Sequence, residues 1–173
     1  MLKELVRDIP DFPKKGIVFK DITPLFLNPA SLKEIVNKIS DHYTDTDTDK
    51  NIDVVVGMEA RGFLIGPAIA INLNAGFVPI RKPGKLPHIT ASKTYELEYG
   101  TDTIEIHKDA IKPDDNVLMV DDLLATGGTM AASCELVESL GGNIVGCAFI
   151  IELAFLNGKN MLDKYDVFSL IQY

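Results

Sequence analysis

The chain has 173 residues, of which 46% are hydrophobic and 24% are charged. This length predicts one domain over residues 1–173, large enough to bury a core without disulfides or structural metals. Seventeen basic against twenty-five acidic residues give a formal net charge of −8, which argues against nucleic acid and anionic membranes as partners. No apolar run reaches the length of a membrane span, and acidic residues occur at the N-terminus where a targeting peptide would lack them, so we expect a cytoplasmic protein.

The N-terminal region combines a helical pattern with an irregular stretch. Its first apolar residues are spaced for a short amphipathic helix that ends at Pro10, namely Leu2, Leu5, Val6 and Ile9. Residues 11–24 are rich in Pro and Gly and too irregular for a regular element. Because they carry several apolar residues, we expect them to fold down onto the domain. The alternative is a surface arm that only covers the core.

A capped helix and a polar linker follow. Ser31, with Glu34 three positions later, predicts the N-cap of a helix over residues 31–42. The alternating aspartates of residues 45–49 resemble the start of a calcium loop, but the required later Gly and Glu are absent. We interpret this stretch as a solvated linker.

The remaining chain repeats a strand, loop and helix order. The predicted strands are 52–56, 77–80, 103–107, 117–120, 143–151 and 167–171, and the predicted helices run from Gly62 to about Leu73 and over 130–140. Gly141 and Gly142 predict the C-terminal cap of the second helix. Such βαβ units predict an α/β fold, a twisted and mainly parallel sheet with helices on both faces. The residues before 103–107 should form one side of a hairpin-like flap.

A loop of small residues joins the strand at 117–120 to its helix. The loop consists of Ala125, Thr126, Gly127, Gly128 and Thr129. Free N–H groups and the positive end of the helix dipole make such a junction a site for a phosphate dianion. Its glycines let the main chain approach the anion, and its threonines add hydroxyl donors. An ordinary turn is the alternative, but it would not explain why strand, acids, loop and helix follow in this order.

Two aspartates stand where this strand emerges. Asp121 and Asp122 are placed to accept hydrogen bonds from sugar hydroxyls next to the phosphate. Because neighbouring strand residues point to opposite faces, one of the two could instead hold the loop.

Basic residues occur in two other loops. Arg61 follows the first buried strand, at the sheet edge where open α/β sheets bind ligands, and its planar guanidinium suits a diphosphate. An ion pair with Glu59 is the alternative. Arg81, Lys82 and Lys85 form a cluster stiffened by two prolines. On an acidic protein this cluster predicts an anionic partner, although a solvated surface is the alternative.

These motifs carry a family resemblance. Residues 120–129 resemble the phosphoribosyl pyrophosphate signature of the type I phosphoribosyltransferases, and the form Leu-Leu-Ala-Thr-Gly-Gly-Thr resembles the adenine phosphoribosyltransferase family in particular. Phe-Pro followed by Gly-Ile-Val-Phe-Lys-Asp-Ile, Glu-Ala-Arg-Gly-Phe and Leu-Glu-Tyr-Gly resemble further segments of that family. The resemblance covers about residues 11–173.

The resemblance implies a type I phosphoribosyltransferase fold with a small N-terminal hood, about residues 1–30, and a mobile lid, about residues 86–102. It implies transfer of the 5-phosphoribosyl group from phosphoribosyl pyrophosphate to N9 of adenine, giving AMP and pyrophosphate in purine salvage. Mg²⁺ would be held through the phosphoribosyl pyrophosphate and not by direct protein ligands, and the protein would be a homodimer.

The resemblance also assigns roles near the base. Phe19 would stack on adenine, Val18 and Lys20 would contact it through the main chain, and Leu123 would cover its other face. The family usually has Arg where this chain has Lys20. If the side chain reads the base, an ammonium could donate to a 6-oxo group and admit hypoxanthine.

The sugar and phosphate roles follow in the same way. The loop of residues 125–129 would bind the 5′-phosphate, and Asp121 and Asp122 would bind the ribose. The pyrophosphate ligands would be Arg61, Arg81, Lys82 and Lys85, with Arg81 reaching into the neighbouring subunit. Glu98 would be the acid/base group, Tyr99 a lid residue near the pyrophosphate, and Arg61 would also assist catalysis.

Two other functions stay open at this point. One is a purine phosphoribosyltransferase acting on hypoxanthine, guanine or xanthine. The other is a non-catalytic sensor that binds phosphoribosyl pyrophosphate and regulates a partner. The intact lid marker and the cation cluster argue against the sensor.

Overall fold

A five-stranded parallel sheet forms the centre of the molecule, with helices on both faces. The computed structural model describes residues 2–44, 51–97 and 100–173. The helices are α1 (Leu2–Leu5), α2 (Thr23–Leu27), α3 (Pro29–Thr44), α4 (Gly62–Asn72) and α5 (Gly128–Ser139). The strands are β1 (Arg7–Pro10), β2 (Val18–Asp21), β3 (Val54–Met58), β4 (Gly76–Ile80), β5 (Thr90–Glu96), β6 (Thr101–His107), β7 (Asn116–Leu124), β8 (Asn143–Glu152) and β9 (Val167–Gln172). Two 3-10 helices, Ala154–Leu156 and Gly158–Leu162, join β8 to β9.

The strand order across the sheet is β4-β3-β7-β8-β9, and every neighbouring pair is parallel. All five residues of β3 are buried, as are four consecutive residues of β7 from Val117 to Val120. Strands covered on both faces consist of continuous apolar runs, so the predicted α/β class and its βαβ units are confirmed. The antiparallel pairs form separate two-stranded sheets, β1 with β2 and β5 with β6, and the second pair confirms the predicted hairpin.

The two faces of the sheet carry different layers. On one face lie α3 and α4, which bury Ile35, Ile39, Ile65 and Ile69 against the sheet. These pairs are four residues apart, the spacing that places side chains on the same side of a helix. On the opposite face lie α5 and the β5–β6 hairpin, and here Cys134 and other apolar residues pack on the sheet. In the described part of the chain, no helix is long and apolar enough to span a bilayer.

The N-terminal region differs from both sequence predictions. The helix ends at Leu5 instead of continuing to Ile9, and the next residues form β1, which pairs with β2 so that Ile9 lies opposite Phe19. The stretch taken as irregular therefore contains a strand and also α2. A single helical turn has little stability of its own, whereas pairing with a distant strand satisfies the backbone groups of both segments.

The cap of α3 also differs from the prediction. Asn28, not Ser31, caps this helix, since its side-chain oxygen accepts the N–H groups of Ala30 and Ser31 at 2.9 and 3.2 Å. Ser31 is buried, and its hydroxyl donates to the carbonyl of Leu25 at 2.6 Å. The predicted linker at residues 45–49 lies outside the described residues. After α5, Gly141 has φ +96°, which confirms the predicted cap.

Candidate active site

The carboxyl end of β7 opens into a cavity of about 250 Å³. Its lining includes Asp121, Leu123, Lys82 and all five residues of the predicted phosphate loop. Ligands of open α/β sheets bind outside the carboxyl ends of the strands. The fold therefore brings the phosphate loop together with Asp121, Leu123 and Lys82, whereas the other predicted ribose, base and pyrophosphate residues do not line this cavity.

β7 is longer than predicted and continues through both aspartates to Leu124. Because side chains alternate along a strand, Asp121 shares the cavity lining with Leu123. Asp122 is buried and its Oδ2 lies 2.7 Å from Nε of Arg61. Burial and the neighbouring Asp122 carboxylate raise the pKa of Asp121 well above its usual range. The two acids therefore have different environments.

The middle residue of the phosphate loop has a left-handed conformation and directly precedes α5. Gly127 has φ +85° and is the N-cap of α5, without a side-chain cap. A Cβ on Gly127 would meet the carbonyl oxygen of Gly158 and, at 3.1 Å, Cβ of Met161. The second 3-10 helix thus packs directly against the loop and leaves no room for a side chain at Gly127. Sequence analysis missed this support, for which a glycine at 158 was the only signal.

Tyr95 is another residue that sequence analysis missed. Its hydroxyl lies 3.0 Å from Oγ1 of Thr129 and donates to Oδ2 of Asp102 at 3.2 Å. Burial raises the pKa of Tyr95 above its ordinary value. Tyr95 belongs to the predicted flap, which indicated that it could lie near the site. Its partner Thr129 in the phosphate loop could not be predicted from the local sequence pattern.

Three of the four predicted pyrophosphate cations, Arg81, Lys82 and Lys85, are bound to two carboxylates. Glu59 Oε1 accepts from Nη2 of Arg81 at 3.3 Å and from Nζ of Lys85, and its Oε2 accepts the N–H of Lys82 at 2.8 Å. The side chain of Lys82 pairs with Asp102. The hydrogen bonds that Glu59 accepts lower its pKa to about 2, and the bond from the Lys85 ammonium has the largest effect.

The alternative of a Glu59–Arg61 ion pair was wrong, because Glu59 binds the cation cluster and Arg61 binds Asp122. Arg81 also has a buried Nε that finds no hydrogen-bond partner in the described part of the chain. The guanidinium of Arg81 thus keeps an unused donor.

The hood places an aromatic ring beside Arg61. The guanidinium carbon of Arg61 lies 5.5 Å from the ring centroid of Phe19, and Phe12 contacts the same ring edge-on at 5.2 Å. The side chain of Lys20 contacts two other residues: its Nζ lies 2.7 Å from Oδ1 of Asp8 and 4.0 Å from the ring centroid of Tyr173. The neighbouring Val18 is exposed.

The predicted acid/base residue Glu98 and lid residue Tyr99 lie outside the described residues. Leu97, which precedes them, lines the cavity. Among residues 2–44, 51–97 and 100–173, no group of three or more His, Cys, Asp or Glu is arranged to hold a metal ion.

Comparison with known proteins decides the family. The model of the phosphoribosyl transferase domain matches residues 22–172. The adenine phosphoribosyltransferase of Koribacter versatilis is 60% identical over 172 residues, covering 99% of this chain and 92% of the relative. The chain belongs to the adenine phosphoribosyltransferase family.

Solved structures of the adenine phosphoribosyltransferase family have the same fold. That of Thermoanaerobacter pseudethanolicus superposes with a TM-score of 0.93 at 50% identity, covering 99% of this chain and 98% of the other. That of Saccharomyces cerevisiae, complexed with D-2,5-dideoxy-2,5-imino-altritol 1,6-bisphosphate and adenine, has a TM-score of 0.93 at 45% identity, covering 98% and 96%. The type I phosphoribosyltransferase fold expected from the motifs is therefore confirmed.

Proposed function

We propose that this protein transfers the 5-phosphoribosyl group of phosphoribosyl pyrophosphate to N9 of adenine, producing AMP and pyrophosphate for purine salvage. The observation that carries the proposal is the cavity at the carboxyl end of β7, which joins the Gly127 turn, Asp121 and Lys82. The names of the relatives agree with this reaction. We also propose a cytoplasmic location, as the sequence predicts.

The phosphate loop anchors the substrate at its 5′ end. The glycine turn at Gly127 exposes main-chain N–H groups at the start of α5, where the helix dipole favours an anion. Ala125, Thr126, Gly128 and Thr129 complete the site as donors or as small residues that let the phosphate approach. Anchoring this remote group determines where the anomeric carbon lies relative to N9 of adenine.

That carbon belongs to the ribose and carries the pyrophosphate leaving group. Asp121 binds the ribose hydroxyls from the cavity wall. Asp122, the second predicted ribose residue, is buried against Arg61 and would instead hold that cation in place. As the bond to pyrophosphate stretches, negative charge collects on the leaving group. Arg61, Arg81, Lys82 and Lys85 stabilise that charge, and preorganised cations are effective because they need no reorganisation during the reaction.

The base binds between Phe19 and Leu123. Phe19 offers an aromatic face next to Arg61, and Leu123 lines the cavity on β7. Val18 and Lys20 read the ring through main-chain groups. This view is supported by the ammonium of Lys20, which is bound to Asp8 and Tyr173, so a 6-oxo purine gains no donor from it.

Glu98 transfers the proton of the purine imidazole, and Tyr99 lies near the pyrophosphate. Both belong to the segment of residues 86–102 that we propose as a flexible lid over a single domain of residues 1–173, with residues 1–30 as helix and hood. The proposal is supported by Leu97, which lines the cavity immediately before them. Closure would exclude water that could attack the oxocarbenium-like centre.

Mg²⁺ binds together with phosphoribosyl pyrophosphate. Mg²⁺ commonly keeps several waters and binds substrate phosphates instead of an all-protein cage, so the ion would be held through phosphoribosyl pyrophosphate and not by direct protein ligands. Bound there, the ion would neutralise charge on the departing diphosphate. The protein is a homodimer in this proposal, which is supported by the exposed Leu64 and Ile71 on the outer side of α4.

The test is AMP formation by the purified protein from adenine, phosphoribosyl pyrophosphate and Mg²⁺. Hypoxanthine, guanine and xanthine compete with adenine in the same assay, and we expect AMP as the main product. Binding of phosphoribosyl pyrophosphate without AMP formation would overturn the proposal in favour of a sensor. A preference for a 6-oxo purine would overturn the choice of base. Sedimentation of the same sample measures whether the protein is a dimer.

A further inference from the structure

We propose that Asp102 is a positioning residue that competes with pyrophosphate for Lys82 and so weakens retention of this product. The proposal rests on the proposed function, because it concerns the leaving-group site of that reaction. Asp102 stands on β6 of the hairpin, whereas Lys82 follows β4 of the main sheet. Their ion pair therefore connects the hairpin to the cation cluster.

Asp102 is held in place from several directions. Its Oδ1 accepts the N–H of Thr103 at 2.8 Å, and its Oδ2 accepts both Nζ of Lys82 and, at 3.2 Å, the hydroxyl of Tyr95. Tyr95 lies directly opposite Asp102 in the β5–β6 register. A carboxylate with three donors is fixed in position and stays ionised. Consistent with this, the Lys82 ammonium lowers the pKa of Asp102.

The hydrogen bonds continue to the phosphate loop. Because the single phenol proton of Tyr95 is donated to Asp102, the Thr129 hydroxyl 3.0 Å away is the donor to Tyr95. Thr129, Tyr95, Asp102 and Lys82 thus form one chain from the 5′-phosphate loop to the leaving-group cation. This chain orients the Asp102 carboxylate toward the place where Lys82 would meet a diphosphate.

A diphosphate that binds Lys82 must share or displace this carboxylate. Both Asp102 and Lys82 line the cavity, and their side chains are 28% and 42% exposed. Two like charges on one ammonium repel each other at short range, and the repulsion is only partly screened at a half-exposed site. Glu59 holds Arg81 and Lys85 in a similar way, but it belongs to the main-sheet loops. Asp102 is the described hairpin carboxylate that pairs with a cation of this cluster; Glu105 of the same hairpin accepts the main-chain N–H of Gly84 at 3.0 Å.

The experiment measures pyrophosphate binding with and without this charge. In the presence of Mg²⁺, titration calorimetry of Asp102→Asn should give a pyrophosphate Kd about tenfold lower than wild type, as expected when a like charge beside a bound anion is removed. Pyrophosphate should become an equally stronger product inhibitor, and kcat should fall while the KM for adenine stays unchanged. A merely structural role would weaken pyrophosphate binding instead.

Matched variants separate local competition from other causes. Glu96→Gln removes the same charge from an exposed position of the hairpin and should leave the pyrophosphate Kd within about twofold of wild type, because solvent and salt screen exposed charges. Asp102→Glu keeps the charge and should restore wild-type affinity. In a Lys82→Gln background, Asp102→Asn should no longer tighten binding, since coupling requires both partners. Asp102→Ser provides a second neutral variant should Asp102→Asn not fold.

Unchanged or weaker pyrophosphate binding in a folded neutral variant would overturn the inference. So would an equal gain in Glu96→Gln. If the wild type forms no AMP, the proposed function fails. If it forms AMP but Asp102→Asn does not tighten pyrophosphate binding, only the inference about Asp102 fails.

Discussion

Gly127→Ala should destabilise the protein more than Gly16→Ala does, although both replace a glycine of nearly the same backbone conformation. Gly127 has φ +85° and Gly16 has φ +89°, so an alanine has a left-handed conformation at either site. Around Gly16, no atom of the described residues other than its two chain neighbours lies within 4 Å of the added Cβ. At Gly127 that atom would meet the carbonyl oxygen of Gly158 and, at 3.1 Å, Cβ of Met161. The pair of variants therefore separates conformational strain from steric contact.

The magnitudes follow from these contacts. A left-handed residue with a Cβ costs about 1.5 kcal/mol, which is the whole expected loss for Gly16→Ala. Overpacking against backbone adds about 2 kcal/mol at Gly127. For a chain of this size each kcal/mol lowers Tm by about 2–4 °C, so we expect decreases of about 3–6 °C for Gly16→Ala and about 7–14 °C for Gly127→Ala.

Thermal unfolding followed by circular dichroism measures both decreases, and the KM for phosphoribosyl pyrophosphate measures the effect on the phosphate loop. If the loop moves away from Gly158 to admit the Cβ, the KM should rise in Gly127→Ala. Equal Tm values for the two variants would refute the idea that the second 3-10 helix leaves no room for a side chain at Gly127. A normal KM in a strongly destabilised Gly127→Ala would show that the 5′-phosphate does not depend on this turn.

Three further substitutions test the proposed roles. Glu98→Gln should lower turnover at least about 100-fold while the affinity for phosphoribosyl pyrophosphate stays nearly intact; an unchanged rate would remove Glu98 from acid/base catalysis. Thr126→Val removes a donor to the phosphate and should raise the KM for phosphoribosyl pyrophosphate about tenfold, and a loss of turnover alone would contradict that role. Lys20→Met should keep the preference for adenine over hypoxanthine in a competition assay, because its ammonium is bound to Asp8 and Tyr173. Altered base choice would show that the side chain reads the base.

The local sequence pattern was sufficient to predict the main sheet and the order of strand, loop and helix around the phosphate loop. The apolar run before Asp121, the small residues of 125–129 and the periodic helix after them are contiguous. Interactions within such a segment are largely local, so its order of strand, loop and helix is visible in the chain itself. The same reasoning failed at residues 7–21. The strand β1 forms there by pairing with β2, which lies about ten residues further along the chain.

The partners of the charged residues could not be derived from sequence. Arg61 stands two residues from Glu59 but pairs with Asp122, sixty-one positions away. Lys82 pairs with Asp102 on a different sheet. Each charge has many candidate partners in the chain, and only packing decides which approach within 4 Å. The exact end of β7 mattered as well, because it determines which aspartate faces the cavity.

The sequence by itself determined the α/β class and the order of strand, loop and helix around residues 117–140, because short-range hydrophobic and turn patterns specify these directly. It also predicted the site residues, through their resemblance to the motifs of the family. The tertiary structure alone decided the pairing of β1 with β2, the support of Gly127 by Gly158, and the chain from Thr129 through Tyr95 and Asp102 to Lys82. The contacts of Gly127 with Gly158, Thr129 with Tyr95 and Asp102 with Lys82 join residues far apart in sequence, and they form only after the folded sheet and its hairpin bring these residues together. The pairing of β1 with β2 joins nearer residues, but it too depends on contacts outside each strand.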